Sequence, residues 1–277
     1  SKKLNLRSSL VISAFYKEMR DMITRVNTLG AYPQKYITYG NEDFGTVKGL
    51  TLKYDLRRTN NVQLYASYTL QFTDGTGSSA STGEAIVNSG YPNLRSTSPL
   101  DFDQRHALSA TVDYHYARGK NYNGPVIFGK KILQEAGLNV VMTAGSGTPY
   151  SRQSNVTAEE LSGINDRKIL DGSLNGSRLP WSFRMSAKAD KTFKITDRSH
   201  LNVYVQVNNL LNAKNIIRVY RKTGNPDDDG YLGLVQNQPS TAYDDQEAFM
   251  YLYGLDVNDP SNYSRPRMWR AGVSMNF

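Results

Sequence analysis

Apolar and polar side chains alternate with a period of two along most of this 277-residue chain. In residues 105–116, for example, the even positions include Leu108, Val112 and Tyr114, whereas the odd positions include Asp113. An alternation of this kind is typical of β-strands with one apolar face. The same period recurs in six further segments, which are residues 49–57, 61–72, 138–148, 182–194, 201–207 and 268–277.

A weaker alternation in residues 4–17, where Val11 and Phe15 fall on the polar parity, adds an eighth predicted strand. Many of the predicted strands have 9–12 residues. That length exceeds the five or six residues usual in soluble sheets and matches the ~9–11 residues with which a tilted strand crosses a bilayer. The alternative is a soluble antiparallel sandwich or adhesin with one wet face.

The connections between the predicted strands alternate in length. The links between strands 2 and 3 (about residues 58–60) and strands 6 and 7 (about 196–200) are tight. The links 1–2, 3–4, 5–6 and 7–8 each have roughly 25–50 residues, and link 4–5, about residues 118–136, has an intermediate length. Long loops at one end and short turns at the other are the plan of an outer-membrane barrel. The fold class predicted is therefore all-β, an antiparallel transmembrane β-barrel in a bacterial outer membrane.

Aromatic side chains fall near the predicted strand ends, where they would lie at the level of the lipid headgroups. With the long loops outside the cell, the even-numbered strands run inward and the chain ends at the periplasmic rim. The residues predicted as interface anchors are Tyr114, Tyr116, Phe193 and Phe277 on the periplasmic side and Trp269, with Tyr68 and Phe72, on the outer side.

The opposite parity of the strands carries charge. Lipid would reject an Arg or Lys side chain at the bilayer midplane by about 2–4 kcal/mol, so these residues are expected to face a wet or plugged lumen. Their mixed signs predict pairing across the wall or with a plug, and not an ion filter of one sign. The predicted lumen-facing residues are Lys53, Asp55, Arg57, Asp113, Arg184, Lys188, Asp190 and Arg270.

Composition narrows the classes of function. The formal charge of +8 is scattered and forms no basic run, so nucleic-acid binding is not expected. The absence of cysteine excludes disulfides, zinc–thiolate sites and thiol nucleophiles. The mean hydropathy of −0.55 suits a strand-built membrane protein as well as a soluble one, because alternation hides apolar residues. No catalytic constellation stands out, and we expect neither enzymatic activity nor a cofactor.

The last outer loop is strongly acidic. The stretch GNPDDDG (residues 224–230) makes Asp227 and Asp229 candidate calcium ligands, although three consecutive acids point in different directions, and a solvated acidic turn is the alternative. The loop aromatics, Tyr243, Phe249, Tyr251 and Tyr253, are expected to form a small core of the loop rather than a ligand platform. Gly145 and Gly147 are expected to let the wall bend or a loop approach.

Four stretches in order resemble the C-terminal barrel of TonB-dependent outer-membrane receptors. They are YGNEDFGTVKGLTLKYDL (39–56), LDFDQRHALSATVDY (100–114), NVYVQVNNLLNAKNIIRVYRKTGNPDDDGYL (202–232) and NYSRPRMWRAGVSMNF (262–277). The first is similar to the family's N-x-G-x-x-x-x-G-x-E pattern but departs from it at Phe44 and Thr51. The version here looks most like receptors of Bacteroidota that carry an N-terminal carboxypeptidase-regulatory-like domain.

The resemblance implies a 22-stranded barrel, filled by a plug and energised by TonB, of which residues 1–277 hold about eight C-terminal strands of one barrel domain, without the plug and N-terminal domains. It implies energised uptake of an unidentified ligand. The partners implied are outer-membrane lipid, the rest of the receptor, TonB through the N-terminal part, and a surface lipoprotein or other outer-membrane protein. The alternative is a complete eight-stranded structural barrel that tethers partners through its loops.

Overall fold

The alternating segments form one antiparallel sheet in the computed structural model, which describes residues 2–5, 7–28, 30–34, 36–84, 96–156, 169–196, 198–235 and 245–276. Its strands and those of a small second ladder are β1 (Lys2–Asn5), β2 (Ser8–Asn27), β3 (Ile37–Thr59), β4 (Val62–Gly75), β5 (Ser98–Pro99), β6 (His106–His115), β7 (Ala136–Gly145), β8 (Pro149–Tyr150), β9 (Ser177–Arg178), β10 (Ser182–Lys194), β11 (His200–Asn208) and β12 (Met268–Asn276). The helices described are η1 (Gly119–Asn121), α1 (Tyr231–Val235), α2 (Gln246–Val257) and η2 (Pro260–Asn262).

Neighbouring strands in the chain are neighbours in the sheet. The order is β1-β2-β3-β4-β6-β7-β10-β11-β12, with β5 paired to the end of β4 and β8 paired to β9 separately. Within the described residues β1 and β12 do not pair with each other, so the sheet is open and both are edge strands. Seven of the eight predicted strands correspond to single strands, and the all-β antiparallel fold class is confirmed.

The registers place the predicted apolar parities on one face of the sheet. One row of directly paired residues crosses seven strands and contains only apolar side chains: Leu56, Leu64, Val112, Val140, Ala187, Val207 and Trp269. The next row on the other face contains only polar ones: Gln63, Asp113, Asn139, Lys188, Gln206 and Arg270. Because side chains alternate strictly along a strand, one correct register fixes the face of every residue.

The first predicted strand is wrong at its start. Residues 2–5 form a separate short strand, and β2 begins only at Ser8, so the chain turns at Arg7 where continuous strand was predicted. The misfit of Phe15 has a packing cause, whereas Val11 pairs with Lys53 and nothing in the structure explains its parity. Phe15 pairs with Gly49 on the polar face, and a Cβ added to Gly49 would lie 2.7 Å from the Cζ of Phe15. The ring therefore occupies the space that a side chain at position 49 would need.

The first long loop is also not a loop. Strands β2 and β3 have 20 and 23 residues and stay paired from Ser8–Leu56 to Asn27–Ile37, with a bulge near Asp21. The Thr28 backbone N–H donates to the Tyr36 carbonyl at 3.0 Å and closes the end of this long hairpin. The tight turn between β3 and β4 is as predicted, because Asn60 and Asn61 both have positive φ and complete a two-residue connection.

Few apolar side chains are buried. Among the described residues the buried ones are Leu100, Val207, Tyr253 and Val257, and a much larger set of apolar side chains on the sheet is exposed. No second layer covers the apolar face in the described part of the chain, so this face needs an apolar surrounding. Within those same residues no helix is both long and apolar enough to span a membrane.

A glycine lets one outer loop approach the wall. A Cβ on Gly147 would overlap the carbonyl oxygen of Leu179, and one on Gly145 would meet the amide of Gln104. The expectation that these glycines permit close approach is confirmed. Residues 146–150 and 177–179 thereby pack backbone to backbone at the end of the sheet that carries the long connections.

Candidate functional site

Three predicted anchors meet on the apolar face at the short-turn end of the sheet. The rings of Tyr114 and Tyr116 make an edge-to-face contact with centroids 5.1 Å apart. Phe193 lies near the end of β10 and is exposed, and the Lys191 ammonium lies 5.2 Å from the centroid of its ring. A long cationic side chain on a lipid-facing position suits the level of the headgroups, where its charge can reach water.

The opposite end of the apolar face carries a second aromatic group. Trp269 is the second residue of β12 and is 67 % exposed. The rings of His106 and Trp181 stack at 5.4 Å, and the Tyr68 hydroxyl and His106 Nδ1 are hydrogen-bonded at 2.8 Å. Sequence reasoning missed Trp181, which directly precedes β10 and shares the parity of Phe183 on the apolar face. Phe277 lies outside the described residues.

Seven of the eight predicted lumen-facing charges are paired on the polar parity of their strands, and the eighth, Arg57, lies in an irregular part of the β3–β4 ladder. Asp113 pairs with Arg58 and accepts a hydrogen bond from the Asn139 amide at 3.4 Å. The carboxylate of Asp190 accepts one from Asn202 at 3.1 Å. Two carboxylates on this face therefore find partners on neighbouring strands, and pairing of the predicted lumenal charges with one another or with a plug stays a prediction.

The remaining polar-face charges are exposed, except Lys188, which is half-buried. The Lys188 ammonium lies 4.7 Å from the centroid of the Tyr204 ring, and no ion pair joins Lys53, Asp55, Arg184 or Arg270 to another described residue. These side chains are available to groups that enter the lumen.

A cleft of about 700 Å³ opens on the polar face beneath the last long loop, and we call it the lumenal cleft. Arg184 of β10 and Arg265 of the loop both line it. Its other lining residues are Ser186, Asn208, Asn209, Ile217, Tyr263, Ser264, Pro266 and Met268. The sequence analysis had placed Arg184 on the lumen side but had given Arg265 no role, because only the fold brings the loop over the strand.

Asn209 and Asn215 fasten this loop to the sheet. The amide of Asn209, which is buried, donates to the carbonyls of Ala213 and Arg265 at 3.0 and 3.1 Å. Asn215 is also buried, and its side chain both accepts from the Phe183 N–H and donates to the Phe183 carbonyl at 2.8 Å. These buried amides satisfy backbone groups of the loop and of β10, and they connect the roof of the lumenal cleft to the sheet.

The acidic turn at residues 227–229 is organised by hydrogen bonds to different partners. Asp227 accepts from the Tyr263 hydroxyl at 2.5 Å, and Asp228 accepts from the Gly230 N–H at 2.8 Å. The carboxylate of Asp229, which is buried, accepts from the Tyr231 N–H at 2.9 Å and from the Tyr253 hydroxyl. Burial, and then the hydrogen bond to Asp229, raise the pKa of Tyr253 far above its ordinary value.

No three acidic or histidine side chains converge within the described residues. The carboxylates of Asp227 and Asp229 turn toward separate tyrosines of the loop, so their geometry is that of a loop-folding device. Calcium binding at these two residues stays a prediction.

The aromatic residues of the last loop form a small core, as expected for two of them. The rings of Phe249 and Tyr253 stack at 5.7 Å, and Tyr231 lies 4.9 Å from Tyr253. Helix α2 begins after Asp245, whose side chain accepts from the Ala248 N–H at 3.0 Å and caps the helix. Tyr251 is exposed and does not join this core, and Tyr243 lies outside the described residues.

Asp103 is the centre of a polar cluster that joins two connections to β4 at the long-loop end. Its side chain is about 2 % exposed and pairs with Arg178, and it accepts a hydrogen bond from the Thr73 N–H at 2.8 Å. The Arg178 guanidinium also donates to the Asp103 carbonyl at 2.7 Å. Sequence reasoning found this residue within the stretch 100–114 but had no means to identify its partners, which lie 30 and 75 positions away.

Comparison with protein families shows which family of β-sheet proteins this chain belongs to. Residues 17–179, more than half of the chain, match the family model described as an outer membrane beta barrel domain. The chain belongs to this outer-membrane β-barrel family. No curated protein matches it.

Among solved structures, the chain is similar to the outer membrane transporter YddB from Escherichia coli, with a TM-score of 0.48 and 12 % sequence identity. The alignment covers 78 % of this chain, which spans 28 % of the length of that transporter.

Membership of the family gives each face of the sheet its surroundings. The protein lies in the outer membrane, where the apolar face of a barrel wall contacts lipid and the polar face contacts the lumen. Outer-membrane barrels carry long loops on the extracellular side and short turns on the periplasmic side. The turn at Asn60–Asn61 is then periplasmic, and the lumenal cleft, the Asp103 cluster and the acidic loop lie toward the outside.

Proposed function

We propose that this chain is the C-terminal barrel portion of a TonB-dependent receptor of the Bacteroidota type, which takes up a ligand with energy delivered through TonB. The observation that carries the proposal is the lumenal cleft: a polar recess lined by two arginines that opens on the lumen side, under the last outer loop. Such a recess suits a ligand that enters from outside and contacts wall and loops together.

The open sheet supports a wall that is part of a larger barrel. Unpaired strand edges cannot persist in lipid, because each unsatisfied backbone group there costs several kcal/mol. Strands β1 and β12 are both edges within the described residues, so further strands are needed to close the barrel. The same observation disfavours a closed eight-stranded tethering barrel. The proposal therefore places residues 1–277 within one larger barrel domain whose plug and regulatory-like domain lie outside this chain.

Unpaired lumenal charges support a filled barrel. Lys53, Asp55 and Arg270 project from the polar face without an ion-pair partner among the described residues. In the proposed receptor they contact a plug, which TonB remodels to open a path. The barrel supplies the rigid wall and part of the ligand-facing loops. The protein carries out no bond chemistry in this scheme, and it needs no cofactor.

The outer loops supply surfaces for partners in this proposal. The exposed face of α2 presents Tyr251, Leu252 and Leu255 at the outer end. A surface lipoprotein that caps the receptor, or another outer-membrane protein, is the kind of partner that such a patch fits.

The test compares four strains of the host: the parent, one that lacks the complete protein, one that lacks TonB, and one that carries a double variant of this chain. Growth is measured on media limited to a siderophore, a glycan or a peptide as the scarce nutrient. We expect one medium on which both deletions impair growth, and on which a variant with Arg184→Ala and Arg265→Ala is impaired while its amount in the membrane is unchanged. Impairment by loss of this protein that is independent of TonB would refute the proposal.

The alternative, a complete tethering barrel, is tested on the isolated 277 residues. We expect them to remain sensitive to protease in detergent and to show no heat-modifiable mobility on gels. A stable, protease-resistant closed species would favour the tether.

A further inference from the structure

The periplasmic connection between β6 and β7 exposes more apolar surface than a turn requires. Residues 125–133, the sequence PVIFGKKIL, will be called the rim segment. Its exposed apolar side chains are Val126, Ile127, Phe128, Ile132 and Leu133, and Phe128 is 98 % exposed. Exposed apolar side chains that are contiguous in this way mark an interaction surface.

The tip of the rim segment is a formed turn. Ile127 and Lys130 exchange backbone hydrogen bonds of 3.1 and 3.0 Å, and Phe128 and Gly129 between them both have positive φ. The backbone of the tip thus holds the Phe128 ring away from the rest of the chain. A large ring at the tip of a turn, without contacts inside the protein, is expected to be covered by something else.

Cations flank this apolar tip. Residues 117–135 contain four basic side chains and one acidic one, and Arg118 faces the acidic Glu135 at 3.6 Å. Lys130 and Lys131 follow the tip directly, and Lys131 bends back to donate to the Gly119 carbonyl at 2.8 Å. Apolar side chains beside lysines match the boundary between acyl chains and phosphate headgroups.

The rim segment returns to the sheet on the lipid-facing side. The ammonium of Lys191, which stands on the apolar face of β10, donates a hydrogen bond to the Ile132 carbonyl. Next to this contact lies a groove of about 550 Å³ with an almost wholly apolar lining, the rim groove. Leu133 of the rim segment lines it together with Val203, Val205 and the anchors Tyr114, Tyr116 and Phe193.

We propose that the rim segment and the rim groove form a binding site for a phospholipid of the periplasmic leaflet. An acyl chain occupies the groove, the phosphate lies against Lys191, and Phe128 with Val126 inserts beside it into the leaflet. An ammonium has three donors, of which Lys191 uses one on Ile132. The charge at the mouth of an apolar groove favours a lipid with an anionic phosphate over an apolar protein segment. This inference rests on the outer-membrane location and not on the proposed transport.

Depth measurement tests the insertion of the tip. The chain has no cysteine, so Phe128→Cys gives a single spin-labelling site within these residues. The complete protein is reconstituted into vesicles of phosphatidylethanolamine and phosphatidylglycerol, and collisions of the label with oxygen and with a water-soluble nickel chelate are compared. Tyr32→Cys, at a side chain that is 96 % exposed beyond the other end of the sheet, is the aqueous control. We expect the label at 128 to lie about 5–10 Å below the headgroups.

A label at 128 that meets nickel as freely as the label at 32 would overturn the proposal. Low accessibility to both reagents would also overturn it, because it would show a covering protein.

The headgroup contact is tested by lipid binding to two matched variants. Lys191→Gln removes the ammonium at the groove, whereas Lys188→Gln removes one on the opposite face of the same strand. Retention of phosphatidylglycerol by the complete protein in detergent is measured by native mass spectrometry. We expect about fivefold weaker binding in Lys191→Gln, the effect of one lysine near a membrane surface, and no change in Lys188→Gln. Equal binding by the two variants would refute the role of Lys191.

Discussion

Two neighbouring valines allow the assignment of the faces to be tested with one substitution. Val140 and Val141 are consecutive near the middle of β7, which spans Ala136–Gly145. Val140 pairs with Val112 and Ala187 on the apolar face. Val141 stands on the polar face, is 38 % exposed and pairs with Thr111 and Ser186. Replacing either valine with arginine changes strand propensity equally, so the difference between the two variants reports their surroundings.

The expected magnitude follows from depth. A strand of 10 residues, at about 3.4 Å each and with a tilt of about 40°, spans roughly 26 Å along the membrane normal. This matches an apolar band about 25 Å tall, so both valines lie close to the midplane. Arginine there costs about 2–4 kcal/mol on the lipid face. We therefore expect Val140→Arg to lower the stability by about 3 kcal/mol, and Val141→Arg to change it by less than about 1 kcal/mol.

The assay is the urea dependence of folding of the complete protein into phospholipid vesicles, read by heat-modifiable mobility and tryptophan fluorescence. The wild type and the two variants are compared in the same vesicles. Equal loss of stability in the two variants, or a larger loss in Val141→Arg, would refute the assignment of lipid and lumen to the two faces.

Three further predictions concern the outer loops. Arg178→Met leaves a buried carboxylate at Asp103, and it should lower the free energy of local unfolding, measured by proteolysis near residue 178, by about 3 kcal/mol. Adding Asp103→Asn should recover at least about 1 kcal/mol in a double-mutant cycle, and additive losses would contradict the pairing. Gly147→Ala should cost about 2–3 kcal/mol in unfolding experiments, whereas Gly254→Ala, with open space in α2, should gain about 0.5–1 kcal/mol. Because the pKa of Tyr253 is raised in the folded loop, loop protection in hydrogen exchange should be complete below pH of about 10 and decline above it, and Tyr253→Phe should weaken that dependence.

The transmembrane strands could be predicted because membrane and water act on alternate residues. Each strand from β4 to β12 that crosses the wall meets lipid on one parity and lumen on the other, and this leaves a local signal in the sequence. The short turns were equally readable, since Asn60–Asn61 supplies the two positive φ values that a two-residue hairpin requires. The register then followed, and with it the faces of Lys188 and Asp190.

The extension of β2 and β3 could not be predicted in the same way. Residues 18–27 and 37–46 pair with each other beyond the regular alternation, and a bulge at Asp21 shifts the parity. A hairpin that projects past the membrane has no lipid on either face, so it carries no apolar stripe. The pairing of these residues can be recognised in the sequence only when the two segments are compared with each other.

Some residues of the candidate site could be predicted from strand parity, whereas others are placed by contacts between residues far apart in the sequence. Arg184 belongs to a strand, and its parity alone placed it in the lumen, whereas Arg265 reaches the same cleft through a loop of nearly 60 residues. Asp103 likewise meets Arg178 across 75 positions. Contacts of this kind depend on loop folding, which follows from specific hydrogen bonds and not from periodicity.

Two ring–glycine pairs on the polar face explain why alternation can fail in a correct strand. Phe15 lies against Gly49 of β3, and the Tyr204 ring lies where a side chain at Gly272 of β12 would be. In both cases a bulky ring on the lumen side fills the space that a glycine of the next strand leaves. At these two positions a ring on the polar parity is accommodated by the glycine opposite it, so it is not evidence against the strand. The placement of such residues in this sheet is therefore explained by two paired strands together and not by either strand alone.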